Sequence, residues 1–233
     1  EKGNTRARMA RLEVQRFRYL QDINNLQYFD PNSNSYICLT DKDREKLVEL
    51  FESKSAVTFP QIRKTLGLDR KTDFKLDYGT KKLKGNITSV AIREAWEGWD
   101  DLSEEMQHAL VEDLITINKK SVLKKRLITH WQMYVADAVN LAMLEFEPEH
   151  SNLSVKAINK LMPHLRSGQI YSDARVSAGY GYEKDDTKST ETLGPPPDIP
   201  NPIVSKGLSE LRRVINALIK EYGKPDVIRI EMA

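Results

Sequence analysis

Apolar positions along most of this chain recur at three- and four-residue spacings, the period of one helix face, so the pattern predicts a mainly α fold. Over Thr5–Leu26, the residues Met9, Leu12, Phe17, Leu20, Ile23 and Leu26 form such a stripe, with Arg8, Arg11 and Arg18 outside it. Thr40, with Asp43 three residues on, marks a helix start ahead of Leu47, Leu50 and Phe51. Thr58 and Gln61 form a capping box, Pro60 suits the first turn, and Gly67 ends that helix after Ile62 and Leu66. Ser103 caps an acidic helix whose inner side would hold Met106, Leu110, Leu114 and Ile117. From Ser121 to about Phe146, the run Leu127, Trp131, Tyr134, Val135, Ala138, Leu141 and Ala142 predicts one central buried helix. Pro163 lacks the N–H a continuous helix needs and should break or bend the one that begins after Asn152.

The pattern changes at the C-terminal end. Leu208, Leu211, Val214, Ile215, Leu218, Ile219 and Tyr222 share one face of a helix over Ser205–Tyr222, which Gly223 stops and Pro225 keeps from resuming. Everything before this point reads as helices. Val227–Ala233 is short and rich in branched aliphatics, and predicts a strand with Ile228, Ile230 and Met232 on one face and Val227, Arg229 and Glu231 on the other. An isolated strand is not stable in water, which sets the expectation of partner strands and of flanking sequence on both sides. On spacing alone Glu231 has two readings: an edge-strand charge facing solvent, or an oxygen ligand for a hard divalent cation. One carboxylate cannot build a two-metal site, and no other segment reads as an aliphatic strand carrying an acid.

Composition narrows the class. Charged residues make up 30% of the 233, a share that suits long helices with one solvated face. The single cysteine, Cys38, excludes an internal disulfide framework and fits a reducing compartment. No apolar run is long enough to cross a bilayer, and the chain does not open on the apolar core of a secretory signal. Net charge is only +2, but its distribution is uneven. Six basic residues face two acidic ones over Glu1–Leu20, eight face three over Gln61–Lys84, and Leu114–Ala136 has five basic and none acidic, whereas Arg93–Asp113 has eight acidic and one basic. Basic faces attract phosphate through counterion release, although a charge run is also the ordinary solvated side of a helix. Trp96 and Trp99 bracket Gly98 in the acidic stretch, which favours core packing over base stacking. His150 and His164 have no second ligand pair nearby in sequence and are expected at the surface or in the core, not on a metal. From Gly179 to Pro200 the chain turns to Gly, Tyr, Lys, Asp, Thr and Pro, a linker by composition.

Several ordered runs resemble one family. They are Leu193-Gly194-Pro195-Pro196-Pro197, Asn201-Pro202-Ile203-Val204, Leu211 to Ile219, Tyr222-Gly223-Lys224-Pro225 and Ile228-Arg229-Ile230-Glu231, together with Arg6-Ala7-Arg8, Arg16-Phe17 and Leu20 to Leu26 nearer the start. Leu39-Thr40-Asp41 to Phe51, Val57-Thr58 to Leu68, Asn152 to Ile158, Leu161 to Leu165 and Tyr171 to Ala174 extend the likeness. They are similar to the type II CRISPR-associated RNA-guided DNA endonucleases, the Cas-nine family, and most to its compact branch. The resemblance implies a multi-helical recognition lobe over residues 1–178, a linker over 179–200, and over 201–233 a helix and strand of an RNase H-like (RuvC) nuclease domain. It makes Glu231 a catalytic magnesium (Mg2+) ligand. It also implies guide RNA contact for Arg6, Arg8 and Arg11. Arginine's fork binds phosphate oxygens in pairs, and Arg18, Arg63 and Lys64 join them as RNA-binding candidates.

Membership of that family would make the chain part of a DNA endonuclease of the bacterial cytoplasm that serves antiviral defence. Its partners would be a guide made of CRISPR RNA with trans-activating RNA, target DNA, and the remaining nuclease segments, with no membrane. The chain alone would not cut. Two other classes compete with this expectation: a helical scaffold that binds protein through its acidic Arg93–Asp113 helix, and a free-standing nuclease built by self-association.

Overall fold

In a computed structural model, residues 5–77, 82–180, 192–196 and 202–225 are described. They fall into two units, divided after Tyr180. Among the described residues the fold is mainly α, with ten α-helices and four short strands.

The first helix, α1 (Leu12–Asn25), begins later than the stripe from Thr5 predicts. The preceding residues are extended because their backbone is engaged elsewhere. Ala7 N–H donates to Leu153 O at 2.9 Å, Met9 N–H to Glu149 O at 2.8 Å, and Ser151 N–H to Ala7 O at 2.8 Å. Backbone groups committed to that ladder are not available for a helical turn. α1 buries Leu12, Val14, Gln15, Phe17, Tyr19, Leu20 and Ile23, more than one stripe can hold. It does so because it lies between two cores. Ala10 and Leu12 belong to one apolar cluster, and Val14, Phe17, Leu20 and Ile23 belong to the other. Met9, expected in the stripe, is only half-buried.

The larger cluster is closed by α2 (Asp41–Ser53), α3 (Phe59–Leu66), α8 (Val155–Arg166) and α9 (Tyr171–Arg175). Local capping signals set these starts. Thr40 Oγ1 accepts from Asp43 N–H, the Thr58–Gln61 box is formed, and Gly67 closes α3 at φ 69°. Leu47, Phe51 and Ile62 are fully buried. The helix-only expectation before residue 201 is corrected by two antiparallel strand pairs, one a hairpin and one closed around α3. β1 (Gln27–Asp30) pairs with β2 (Ser35–Cys38), and β3 (Ala56–Thr58) pairs with β4 (Lys82–Lys84), with Val57 opposite Leu83. Strands of three or four residues leave too short an alternation to stand out in sequence.

The second cluster gathers α4 (Ile87–Ala95), α5 (Glu104–Thr116), α6 (Lys120–Thr129) and α7 (Val135–Met143) around Leu110, Leu127 and Leu141. The single helix expected over Ser121–Phe146 is two helices. Gln132 takes a left-handed conformation, φ 54°, and the chain folds back there. The reversal brings Leu123, Leu127, Ala138 and Leu141 into one core. An unbroken helix would carry them apart at 1.5 Å per residue. Tyr134 and Val135, expected inside, are exposed as a result. Ser103 caps α5 as expected, and Leu110 and Leu114 are buried, but Met106 is exposed and Ile117 only half-buried. Trp99 is buried and Trp96 packs partly buried against the same cluster. Pro163 lies inside α8 without ending it, on an exposed position of that helix.

In the second unit, α10 (Pro202–Tyr222) starts before Ser205 and ends as predicted, with Gly223 at φ 83°. None of its residues is buried. Leu193 is tied to it, its N–H donating to Asn216 Oδ1 at 2.7 Å and its carbonyl accepting from Arg212 Nε at 2.9 Å. The predicted strand Val227–Ala233 lies outside the described residues, as does most of the expected linker.

Candidate nucleic-acid interface

The arginines spaced along the first helix do not form one free edge. Arg8 donates to Ile115 O, and Arg11 pairs with Glu112 and Glu13. Arg18 Nη1 reaches Glu147 Oε2 at 3.0 Å, while its Nη2 donates to Gln15 Oε1 at 2.9 Å and to Gly85 O at 3.3 Å. Arg16, outside the candidate set, bonds Glu52 Oε1 at 2.8 Å and also Glu104. For Arg11, Arg16 and Arg18, which are partly buried, the cause is the position of α1 between two cores, where a guanidinium is partly desolvated and takes carboxylate or carbonyl partners.

The centre of this seam is Gln15, which is fully buried. Its amide Nε2 donates to Met9 O at 2.6 Å and to Glu147 Oε2 at 2.9 Å. Its Oε1 accepts from Ile87 N–H at 3.0 Å as well as from Arg18. Burial raises the Glu147 carboxyl, but hydrogen bonds from Lys84, Gln15 and Arg18 outweigh it and hold the group below its ordinary value. Glu52 plays a similar part, accepting from Tyr19 Oη at 2.7 Å and Asn86 Nδ2 at 2.6 Å. Burial and the neighbouring Glu52 carboxylate push the Tyr19 phenol strongly upward, so it stays a donor. Sequence reasoning missed Gln15, Glu52 and Glu147, since their partners lie far along the chain.

A cleft of about 830 Å³ opens beside this seam, lined by Glu13, Arg16, Glu104, Glu105, His108 and Arg166. His108 Nδ1 is 3.2 Å from Glu13 Oε1, and Arg166 is 3.6 Å from Glu104. With three carboxylates in its wall it does not suit a phosphate backbone.

Cationic surface lies elsewhere. Arg6 is exposed and without an acidic partner among the described residues. Arg63 is not free: it bonds Thr72 O at 2.7 Å and pairs with Asp77, fixing the segment beyond α3. Lys64, Arg70, Lys71 and Lys82 are exposed and carry no acidic partner among the described residues. Lys82 stands opposite Thr58, the cap of α3, so this strand pair and the helix start share the basic region. Glu231 lies outside the described residues. Among those described, no three His, Cys, Asp or Glu side chains come together as a metal site, and His150 is exposed and His164 half-buried.

No family model matches the chain. It is 28% identical over 227 residues to the CRISPR-associated endonuclease Cas9 of Campylobacter jejuni, a match that takes in 93% of this chain and 22% of that protein. The crystal structure of Campylobacter jejuni Cas9 in complex with sgRNA and target DNA superposes on 94% of this chain and 28% of that one, at 25% identity and a TM-score of 0.53. The chain is similar to Cas9 proteins along nearly all of its length. The type II-C Cas9 of Actinomyces naeslundii shares the fold over 96% of this chain and 25% of its own, at 19% identity and a TM-score of 0.59. The chain thus spans about a fifth of the curated Cas9 it matches. These Cas9 matches agree with the mainly α fold described above.

Proposed function

We propose that residues 1–178 act as the part of a Cas9 recognition lobe that holds guide RNA and the RNA–DNA heteroduplex. Residues 201–233 then contribute a helix and strand to the RuvC nuclease domain, with 179–200 as the linker. The observation that carries this reading is the likeness, along 94% of the chain, to a Cas9 solved in complex with sgRNA and target DNA. In such complexes the protein reads duplex shape and backbone, and base pairing reads sequence. Exposed cations without internal partners do that work here: Arg6, Lys64, Arg70, Lys71 and Lys82. Arg8, Arg11, Arg18 and Arg63 support it by fixing the scaffold, and reach RNA only where they can keep their internal partners.

In the same reading the complete protein is a magnesium-dependent DNA endonuclease of the bacterial cytoplasm, and Glu231 supplies one oxygen ligand to the metal. The other carboxylates come from other nuclease segments. Magnesium, when bound, polarises the scissile phosphodiester. This chain alone binds without cutting.

The test is binding of the 233-residue chain to a structured guide RNA and to an unrelated RNA of equal length, over a series of salt concentrations. Salt-sensitive binding that prefers the guide is expected. Equal, weak binding of both RNAs would sink the recognition role. Cleavage of DNA by the chain alone with magnesium, lost in Glu231→Ala, would overturn the division of labour.

A further inference from the structure

α7 has an apolar arc wider than the stripe it buries, with Asp137 and Asn140 on its polar side. Ala138, Leu141 and Ala142 face the core, and beside them the helix carries Val135, Val139 and Met143, at 58%, 38% and 59% exposure, with Tyr134 at 82% just before the helix. These three residues are four apart, so they line one ridge about 12 Å long at 1.5 Å per residue. A straight row of apolar side chains on a helix is an ordinary contact face for another element. Among the described residues nothing buries this one.

Its border is basic. Lys120 Nζ lies 3.7 Å from Met143 Sδ, which places the start of α6 beside the end of α7. Lys124, one turn on, stands on the same side of α6, and Lys119 precedes the helix. Arg126 is turned away to Asp113, at 2.9 Å. The acidic residues nearest in sequence are Asp137, in the first turn of α7, and Glu145, beyond its last residue.

We propose that this ridge is a docking surface for one amphipathic helix of a partner protein, with aliphatic residues at three- and four-residue spacing and Asp or Glu along its flank. Charge complementarity selects the acidic flank, and the ridge length suits about two helical turns. A nucleic acid is a poorer match, because aliphatic side chains give neither a ring for base stacking nor a donor for phosphate. A second copy would set lysines against lysines across a two-fold axis. A membrane surface would favour Trp, Phe or Leu on the apolar side, and the ridge has none of them.

The test titrates the whole chain into a fluorescently labelled acidic peptide of about four helical turns, with Leu on one face and Glu and Ala elsewhere. The same is done with its sequence scramble and with a version carrying Lys for Glu. The acidic amphipathic peptide should bind at least about tenfold more tightly than either control, and Val139→Asp and Lys120→Glu should each remove about that factor. Met143→Gln provides a milder change at an exposed position should Val139→Asp perturb folding, which circular dichroism reports. No binding of the acidic peptide, equal binding of the scramble, or affinity unchanged in all three variants overturns the proposal. So does loss, in those variants, of binding to phosphatidylserine vesicles or to an RNA–DNA duplex in place of the peptide.

Discussion

Gln15 Nε2 donates to Glu147 Oε2 at 2.9 Å, across 132 positions of sequence, and the pair closes the seam between the two cores. Gln15→Ala strands the Met9 carbonyl, leaves the Ile87 N–H only its bond to Gly85 O, and leaves Arg18 with fewer acceptors. A loss of about 2–3 kcal/mol is expected, since unsatisfied buried polar groups cost about 1–3 kcal/mol each. Urea unfolding with an unchanged m-value checks it, and a midpoint equal to that of the parent chain would contradict it.

Acid should loosen the same seam. Glu147 and Glu13 are both held below their ordinary value of 4.5: burial raises each, and their hydrogen bonds and nearby cations more than offset it. A depressed carboxyl gives stability that is present above the unfolded pKa and is lost as pH falls through the folded one. The melting temperature should therefore drop between about pH 5 and pH 3, and Glu147→Gln should flatten that slope while lowering stability at neutral pH.

Two glycines give opposite tests of backbone against packing. At Gly67 a methyl group meets open space, so Gly67→Ala costs only the left-handed conformation, about 1 kcal/mol. At Gly85 it would strike the Lys54 and Phe51 carbonyls, where Gly85 and Asn86 N–H donate to Ser55 and Phe51. Gly85→Ala should cost about 3 kcal/mol or more. Thermal melts of the two variants rank them, and the reverse order would refute the account.

Much of the local structure was legible in the sequence, because a cap acts over three residues. Thr40 with Asp43, Thr58 with Gln61, Ser103 ahead of Met106, and Gly67 all stand where their patterns place them. The break at Gln132 was not legible. The run from Leu127 to Ala142 is apolar in both arrangements, and only the core formed by folding back decides between them. The spacing of Arg8, Arg11 and Arg18 was visible, but their partners Ile115, Glu112 and Glu147 lie more than a hundred positions away. Sequence periodicity carries no signal at that distance.

Charge reversal should separate surface cations from structural ones. Arg6→Glu and Lys64→Glu are expected to weaken guide RNA binding, each lowering the salt dependence by about one unit, with stability changed by no more than about 0.5 kcal/mol. Arg63→Ala removes the bond to Thr72 O and the partner of Asp77, and should cost about 1.5–3 kcal/mol of stability. Anisotropy titrations beside unfolding curves distinguish the two effects. Equal stability losses in all three variants would place Arg6 and Lys64 in the scaffold too.

The placement of α1 between two cores also sets an order of assembly. Its residues leave the ribosome ahead of α8, which packs along it, and of Glu147, which closes its polar seam, by more than a hundred residues. Contacts that distant in sequence must wait for the chain between them, at about 5–20 residues per second during synthesis. Until then the helix exposes two apolar sides and several unpaired arginines, which makes the nascent intermediate, not the finished fold, the state most in need of protection from aggregation.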